Sequence, residues 1–473
     1  MREISIKDVG ILFVVSLFVG LIFSIYFPSS LINEGDQFQY NTIANNINIH
    51  NVFSIETTPP FNSTLNREPL YPLFLSLIYR IFGGSFSVVR MIQVLIFALT
   101  IILIYMLILI LTNNKIAFYS SLFTAICPPL ANQTAYLLSE TFFLFLLIIF
   151  IYLFTMMMSL RTSKLFIFCG VMLGLLTLCK ALMIYFLPFL ILGIIILKQG
   201  KGIFYPVFLV VVSFLIILMP WLYRNHYLFN TWKITAQRSG MVLNIRAMKI
   251  SYDENDYKNA AVYYFSEELG KIIYPGATIR SKAIMNQFNA VVEGMEDKDY
   301  WRDVLKGKNF TLREGTIVDI KSQKLKKDGL SEIEIDRILT DEALRKIKAG
   351  PFKYLLQTPL ELIKMTTFTY LPLLNEEYVI SRINWANKKL LFLLRSITRL
   401  IAYPILGLAF YGIYQYRSRW KDSLPGLFII IFFNLFYGST FGDARYAAPL
   451  IPFYIMFATM GWFKLREPKI SIS

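Results

Sequence analysis

Runs of apolar residues without a single charge, each about long enough to cross a bilayer, recur from one end of this chain to the other. In hydrocarbon every backbone N–H and C=O must find an internal partner, which leaves only α-helices and closed β-barrels as spanning structures. A barrel strand reads as about ten residues of alternating polarity, whereas a spanning helix reads as about 20 unbroken apolar ones. The stretches 9–32, 91–111, 141–160 and 203–223 are of the second kind. The sequence therefore predicts an all-α fold, a polytopic transmembrane helical bundle. Its 56% hydrophobic content and mean hydropathy of +0.53 agree, being too apolar for a soluble chain of this length.

Further spans are expected at 116–128, 397–416, 424–441 and 446–463. The stretch 165–197 is too long for one crossing and carries one charge, Lys180, which marks the tip between two short spans. About ten crossings result, each about 20 residues or shorter. The first is too long for a signal-peptide core and has no small-residue cleavage pattern after it, so it reads as a retained span. Basic residues sort by side: the N-terminus, Lys115, Arg161 with Lys164, Lys198 with Lys201, and the clusters at 417–421 and 464–469 all fall on alternate loops. By the positive-inside rule these face the cytoplasm. Both termini are then cytoplasmic in a cytoplasmic (inner) membrane, and the loops 33–90 and 224–389 lie on the extracytoplasmic face.

Three parts follow from this topology. Residues 1–223 form a transmembrane module with the first outer loop, 33–90. Residues 224–389 form a small, mainly helical extracytoplasmic region, in which 352–374, with Lys353, Glu361 and Lys364, reads as an interfacial amphipathic helix. Residues 390–473 are C-terminal transmembrane helices. The net charge of +16, from 47 Lys and Arg against 31 Asp and Glu, would suggest nucleic acid in a soluble protein. Here the inner loops carry much of it, and no nucleic-acid partner is expected. Cys127, Cys169 and Cys179 sit in apolar stretches, as small hydrophobes. With only His50 and His226, a histidine-built zinc site or catalytic triad has little to draw on.

The same topology sends Glu34, Asp36, Arg67, Glu68, Lys180, Arg224, Asp443 and Arg445 to one face, from separate loops. Ionisable groups at a membrane boundary face a cavity or headgroups. Asp36, Tyr40 and Ala44 lie at i, i+4 and i+8, on one side of a short helix. An acid at this point caps the helix and complements its dipole, or serves as a general base over a membrane-surface cleft. Arg67 precedes Glu68-Pro69-Leu70-Tyr71-Pro72, where proline sets the entry of another apolar helix. An interfacial arginine or lysine commonly snorkels to headgroups. Four such cations on one face, Arg67, Lys180, Arg224 and Arg445, also suit a phosphate ligand.

With these marks the chain resembles the C-type glycosyltransferase superfamily of membrane enzymes, in particular its protein O-mannosyltransferase and aminoarabinose transferase branch. The resemblance covers the membrane part. It rests on the Asp36/Tyr40/Ala44 spacing, the stretch from Arg67 to Pro72 leading to Phe82-Gly83, and Ser139-Glu140. Gly174 to Lys180, Pro220-Trp221-Leu222-Tyr223-Arg224-Asn225, and Arg445-Tyr446 before Pro449 and Pro452 complete it. Relatives commonly carry Asp-Glu in the first outer loop. Here Gln37 follows Asp36, and Glu34 is the nearest second acid.

The resemblance implies transfer of a sugar from a polyprenyl-phosphate donor to a hydroxyl-bearing acceptor, whether glycan, lipid or protein, by an inverting single displacement on the outer face. Asp36 then corresponds to the catalytic acid of the loop, as base or as ligand of a possible divalent metal. Arg67, Lys180, Arg224, Arg445 and Tyr446 become donor-phosphate ligands, and Glu34, Tyr40 and Tyr71 substrate contacts. Two other readings use the same lipid class: a lipid-linked glycan flippase or exporter, and a glycan polymerase or ligase.

Overall fold

The computed structural model describes residues 3–26, 35–197, 202–236, 238–265, 273, 282–293, 295, 314–366 and 386–466. Glu34 lies outside the described residues. Helix is the regular secondary structure of the described residues, with no strand among them. They fall into two units, one of residues 1–234, 368–432 and 447–473, the other of residues 235–367 and 433–446.

The first unit is a bundle of apolar helices and belongs to a multi-pass membrane protein. Five described helices are long and apolar enough to cross a membrane: Ile6–Ile25, Phe86–Leu111, Glu140–Leu160, Phe204–Phe229 and Arg417–Ser439. Shorter apolar helices include Leu70–Phe82, Ser163–Cys179, Ala181–Ile196 and Leu400–Gln415. Lys180 stands between two of them with an extended backbone, so the long apolar run is broken where its one charge falls. Several small polar residues inside the helices satisfy themselves. The hydroxyls of Ser16, Thr100, Thr155, Thr177, Ser213 and Thr459 each donate to the carbonyl four residues back.

In lipid, helices associate through close backbone approach at small residues, because burying apolar surface gives no net gain there. Two crossings show it. Gly170 and Gly174, one turn apart, let Ser163–Cys179 lie against Phe204–Phe229, where a methyl on either would meet the Val210 or Phe214 carbonyl or the Ile217 side chain. Gly412 and Gly461 meet at the crossing of Ala386–Gln415 with Ile451–Arg466, with the Phe457 and Leu408 carbonyls in the way of any methyl.

The segment 129–139 is buried although its backbone is not regular α-helix beyond Ala131. Irregular backbone survives at membrane depth only where protein satisfies it. Gln93, fully buried on the helix Phe86–Leu111, does this by donating from Nε2 to the carbonyls of Thr134 (3.1 Å) and Tyr136 (2.8 Å).

The second unit has an ordinary soluble core in which Met248, Phe288, Val292, Ile317, Val318, Ile335 and Leu339 pack together. Its helix Glu332–Ala349 opens with a capping box: the Ser331 hydroxyl accepts from the Glu334 N–H, and the Glu334 carboxylate accepts from the Ser331 N–H. The stretch read from sequence as one interfacial helix is, over its described part, two short helices, Pro351–Leu356 and Thr358–Thr366, interrupted at Gln357. Glu361, expected on a polar outer face, is instead fully buried between Lys249 (2.5 Å) and Lys364 (3.1 Å). The reason is electrostatic: two ammonium groups and a backbone N–H, from Gly442 at 2.9 Å, compensate a carboxylate removed from water.

Burial would raise the Glu361 pKa, but Lys249 and Lys364 outweigh it and hold the carboxyl at about 2. Glu342, beside Lys321 and Lys346, is likewise held at about 2 against the effect of burial. Both acids are depressed in the fold, so their contribution is complete above the unfolded carboxyl value and vanishes as pH falls through the folded one. The melting temperature should thus be level from about pH 7 to 5 and fall between about pH 4.5 and 2, with a smaller fall in Glu361→Gln, which starts lower. A second expectation concerns the bundle. Gly412→Ala should cost about 1–3 kcal/mol because a backbone carbonyl cannot move aside, whereas Gly407→Ala, on the same helix with open space around it, should leave thermal stability unchanged.

Candidate active site

The polar helix Gly35–His50 is held to the bundle by one apolar stripe and a set of amide contacts. Tyr40 and Ala44 are buried against Tyr71, Leu75, Tyr79 and Ala135, so the i, i+4 face read from the sequence is the packed one. The Tyr79 hydroxyl donates to Asn41 (2.9 Å), Ser76 donates to Asn48 (2.9 Å), and Asn46 donates to the Ser54 and Glu56 carbonyls. Gln37 accepts from the N–H of Leu137 (3.0 Å), tying the start of the helix to the buried segment that Gln93 steadies. That contact accounts locally for an amide at position 37: its oxygen receives a backbone N–H with no charge brought beside Asp36.

Asp36, in the first turn, receives Arg67 Nη2 at 2.5 Å. Arg67 Nε donates to Gln39 Oε1 at 2.6 Å, and the guanidinium lies over the Tyr40 ring, 5.0 Å from its centroid. Arg67 is therefore not a snorkelling surface cation. It is 3% exposed, and its Nη1 is buried without a hydrogen-bond partner. A buried guanidinium nitrogen wants an oxygen, and leaving it bare costs about 1–3 kcal/mol. The Asp36 carboxylate keeps partial access, 21% exposed.

Arg67 is one of three contact points on a short stretch of chain. Thr64 offers its carbonyl to Arg224 Nη1 (3.4 Å), and Glu68 accepts from the N–H of Ala181 (3.2 Å), the residue after Lys180. Residues 64–68 thus touch the acid helix, the Lys180 break and the end of the helix Phe204–Phe229 at once. Lys180 pairs with Glu140 at 3.1 Å and lies 5.4 Å from the Phe143 ring centroid. The Arg224 guanidinium stacks on Trp221 (4.4 Å), Phe53 (5.3 Å) and Phe229 (5.5 Å), and donates to Asn225.

Tyr71 lies in the core, 1% exposed, its hydroxyl donating to Gln93 (2.9 Å) and its ring edge-on to Tyr40. Desolvation there keeps the group a neutral hydrogen-bonding phenol. Arg445 and Tyr446 belong to the second unit. The Arg445 N–H donates to Asp443 Oδ1 (2.9 Å), and the Tyr446 ring stacks on Tyr437 at 4.5 Å.

Sequence reasoning passed over Gln39, Gln93 and Glu140 as site residues. The signal for Gln93 was present, since it is the sole amide in an otherwise apolar span. Glu140 pairs with a residue forty positions away, which spacing does not reveal. Among the described residues no three His, Cys, Asp or Glu side chains come together to hold a metal ion.

Residues 66–223 match the family model of dolichyl-phosphate-mannose-protein mannosyltransferases, about a third of the chain. No curated protein matches. Among solved structures, the archaeal oligosaccharyltransferase AglB from Archaeoglobus fulgidus, in complex with an inhibitory peptide and a dolichol-phosphate, superposes with a TM-score of 0.50 at 12% identity. The match covers 97% of this chain and 50% of that one. The chain thus spans about half the length of that neighbour. ArnT from Cupriavidus metallidurans bound to undecaprenyl phosphate gives 0.41 at 12% identity, over 98% of this chain and 78% of that one.

The Lys180–Glu140 pair yields a stability test. Lys180→Met leaves a buried carboxylate without its cation and should cost about 3–5 kcal/mol, while Lys180→Met with Glu140→Gln should recover more than half of it in thermal melts.

Proposed function

We propose that this chain, a membrane protein with the fold of the C-type glycosyltransferase superfamily, transfers a sugar from a polyprenyl-phosphate donor to an acceptor hydroxyl by a single inverting displacement on the extracytoplasmic face. The observation that carries the reading is Arg67, a buried arginine with two of its three nitrogens placed by Asp36 and Gln39 and the third without a partner. A phosphate oxygen is the ligand a planar guanidinium fork takes best. The family model matched over residues 66–223 is named for a dolichyl-phosphate sugar donor, and the AglB neighbour was solved with dolichol-phosphate, both of which support this donor class.

In this mechanism the acceptor hydroxyl approaches the anomeric carbon from the side opposite the phosphate. Asp36 takes its proton as the new C–O bond forms, and the bond from the anomeric carbon to the phosphate oxygen breaks with its electron pair leaving on the phosphate. A phosphodiester becomes a phosphomonoester, so one negative charge develops on the leaving group. Arg67 couples the two events. Through Nη2 it holds the Asp36 carboxylate in place. Through the bare Nη1 it stabilises the charge that grows on the phosphate. Lys180 and Arg224 supply further positive charge, and Tyr71 acts through Tyr40 as packing support.

Incubating the purified full-length protein with polyprenyl-phosphate sugars and scoring released polyprenyl phosphate tests the reading. Wild type should release it in an acceptor-dependent way, and Asp36→Asn, if folded, should lose about 10²- to 10⁴-fold in rate. Arg67→Lys keeps the charge without the fork and should raise donor KM about tenfold or more. Wild-type turnover in Asp36→Asn would remove the acid from the mechanism.

A further inference from the structure

The helix Pro351–Leu356 in the second unit presents its apolar side outward. Phe352, Leu355 and Leu356 stand at i, i+3 and i+4, the spacing of a face that a helix in water buries. Here Phe352 is 71% exposed, Leu355 65% and Leu356 53%. Single exposed apolar side chains are ordinary, but three on one face, flanked by the exposed Pro351 and Pro359, mark a contact surface.

The orientation is enforced from the other side of the helix. The Tyr354 hydroxyl donates to the Ser439 carbonyl at 2.6 Å, and its own carbonyl accepts from Arg246 Nη2 at 3.0 Å. Its ring lies 4.4 Å from the guanidinium of the fully buried Arg246. Turning the helix to bury Phe352 would break all three contacts.

Tyr354 also sets where the patch lies. Ser439 ends the helix Trp420–Ser439, which is long and apolar enough to cross a membrane, and residues 433–446 belong to the second unit. Arg417, Arg419 and Lys421 mark the other end of that span. At about 1.5 Å per residue, Lys421 and Ser439 are about 27 Å apart, close to the thickness of a hydrocarbon core. Leu435, one turn before Ser439, is exposed, as a lipid-facing residue is, and Gly438 is covered by Thr358 and Leu362. The two short helices therefore sit on the last turn of a spanning helix, at the membrane boundary. Arg345, Lys348 and Lys353 are exposed beside the apolar patch. Asp341 offsets part of that charge, and Lys346 is paired with Glu342. Apolar side chains rimmed by cations suit a bilayer surface, the first in the acyl boundary and the second at anionic headgroups.

We infer that Pro351–Leu356 is a membrane-docking element: Phe352, Leu355 and Leu356 insert beneath the headgroups of the bilayer that Trp420–Ser439 crosses, and Arg345, Lys348 and Lys353 engage anionic headgroups. The lipid face is confined to these six residues, because Thr358–Thr366 turns Glu361 into the protein.

Full-length protein with p-benzoylphenylalanine in place of Phe352, at one copy per nanodisc of equal phosphatidylcholine and phosphatidylglycerol, tests it. Irradiation should add the mass of one lipid about tenfold more often than with the probe at Asp328, an exposed turn residue beyond the far end of the helix Glu332–Ala349. Leu355 carries the probe if the Phe352 variant does not fold. Phosphatidylglycerol adducts should outnumber phosphatidylcholine adducts about threefold, and Lys348→Gln/Lys353→Gln should bring the two toward parity. Lipid adducts no more frequent than at Asp328, or cross-linking to another segment of the chain in place of lipid, would overturn the docking element. The same holds for discs with two copies if one chain cross-links to the other and lipid adducts are lost. Frequent adducts without a preference for phosphatidylglycerol would uphold insertion and overturn the part given to Arg345, Lys348 and Lys353.

Discussion

The ion pair between Arg67 and Asp36 organises the rest of the first unit's polar face. A guanidinium that is almost wholly buried needs compensation, and the neighbouring structure supplies it at Nη2, at Nε and over the ring plane, leaving Nη1 bare. Gln39 takes its Nε and Tyr40 lies under its plane. Tyr40 is held by Tyr71, and Tyr71 by Gln93, whose amide also secures the irregular segment that positions Gln37. One buried charge thus explains why a run of amides and tyrosines, unusual so close to hydrocarbon, is found here.

The membrane bundle supplies rigidity and little chemistry. Several of its serines and threonines bond to their own helices, and its glycines permit backbone contacts that fix helix crossings. Where the regular pattern fails, at Lys180 and at 129–139, charged or amide side chains from elsewhere take up the backbone groups: Glu68 for Ala181, and Gln93 for Thr134 and Tyr136. In the second unit the same device recurs, with Glu361 and Arg246 holding a loop by its backbone. Among the described residues buried charge thus fixes irregular chain as well as pairing with other charge.

Much of the fold was legible because spanning helices write long, uncharged runs, and because the one charge at Lys180 does break its run. The Asp36/Tyr40/Ala44 face and the helix entry after Arg67 were legible for the same reason, being periodic or punctuated by proline. What could not be read was pairing. Nothing in the spacing says that Arg67 turns inward to Asp36 and Gln39, that Lys180 finds Glu140, or that Glu361 leaves its helix's outer face to meet Lys249. An amphipathic pattern ranks residues by average polarity, so a buried carboxylate with two lysines looks like a solvated one. The break at Gln357 has a local mark that the amphipathic pattern passes over: Pro359, two residues on, has no N–H to continue the helix and crowds the preceding turn.

The central claim is that Arg67 is shared between the acid helix and the donor phosphate, and a structure of the full-length protein with bound polyprenyl phosphate tests it most directly. Sharing of this kind places a phosphate oxygen within about 3 Å of Arg67 Nη1, with Asp36 still within reach of the same guanidinium. A well-ordered phosphate bound away from Arg67, with that side chain still engaged only by Asp36 and Gln39, would contradict it.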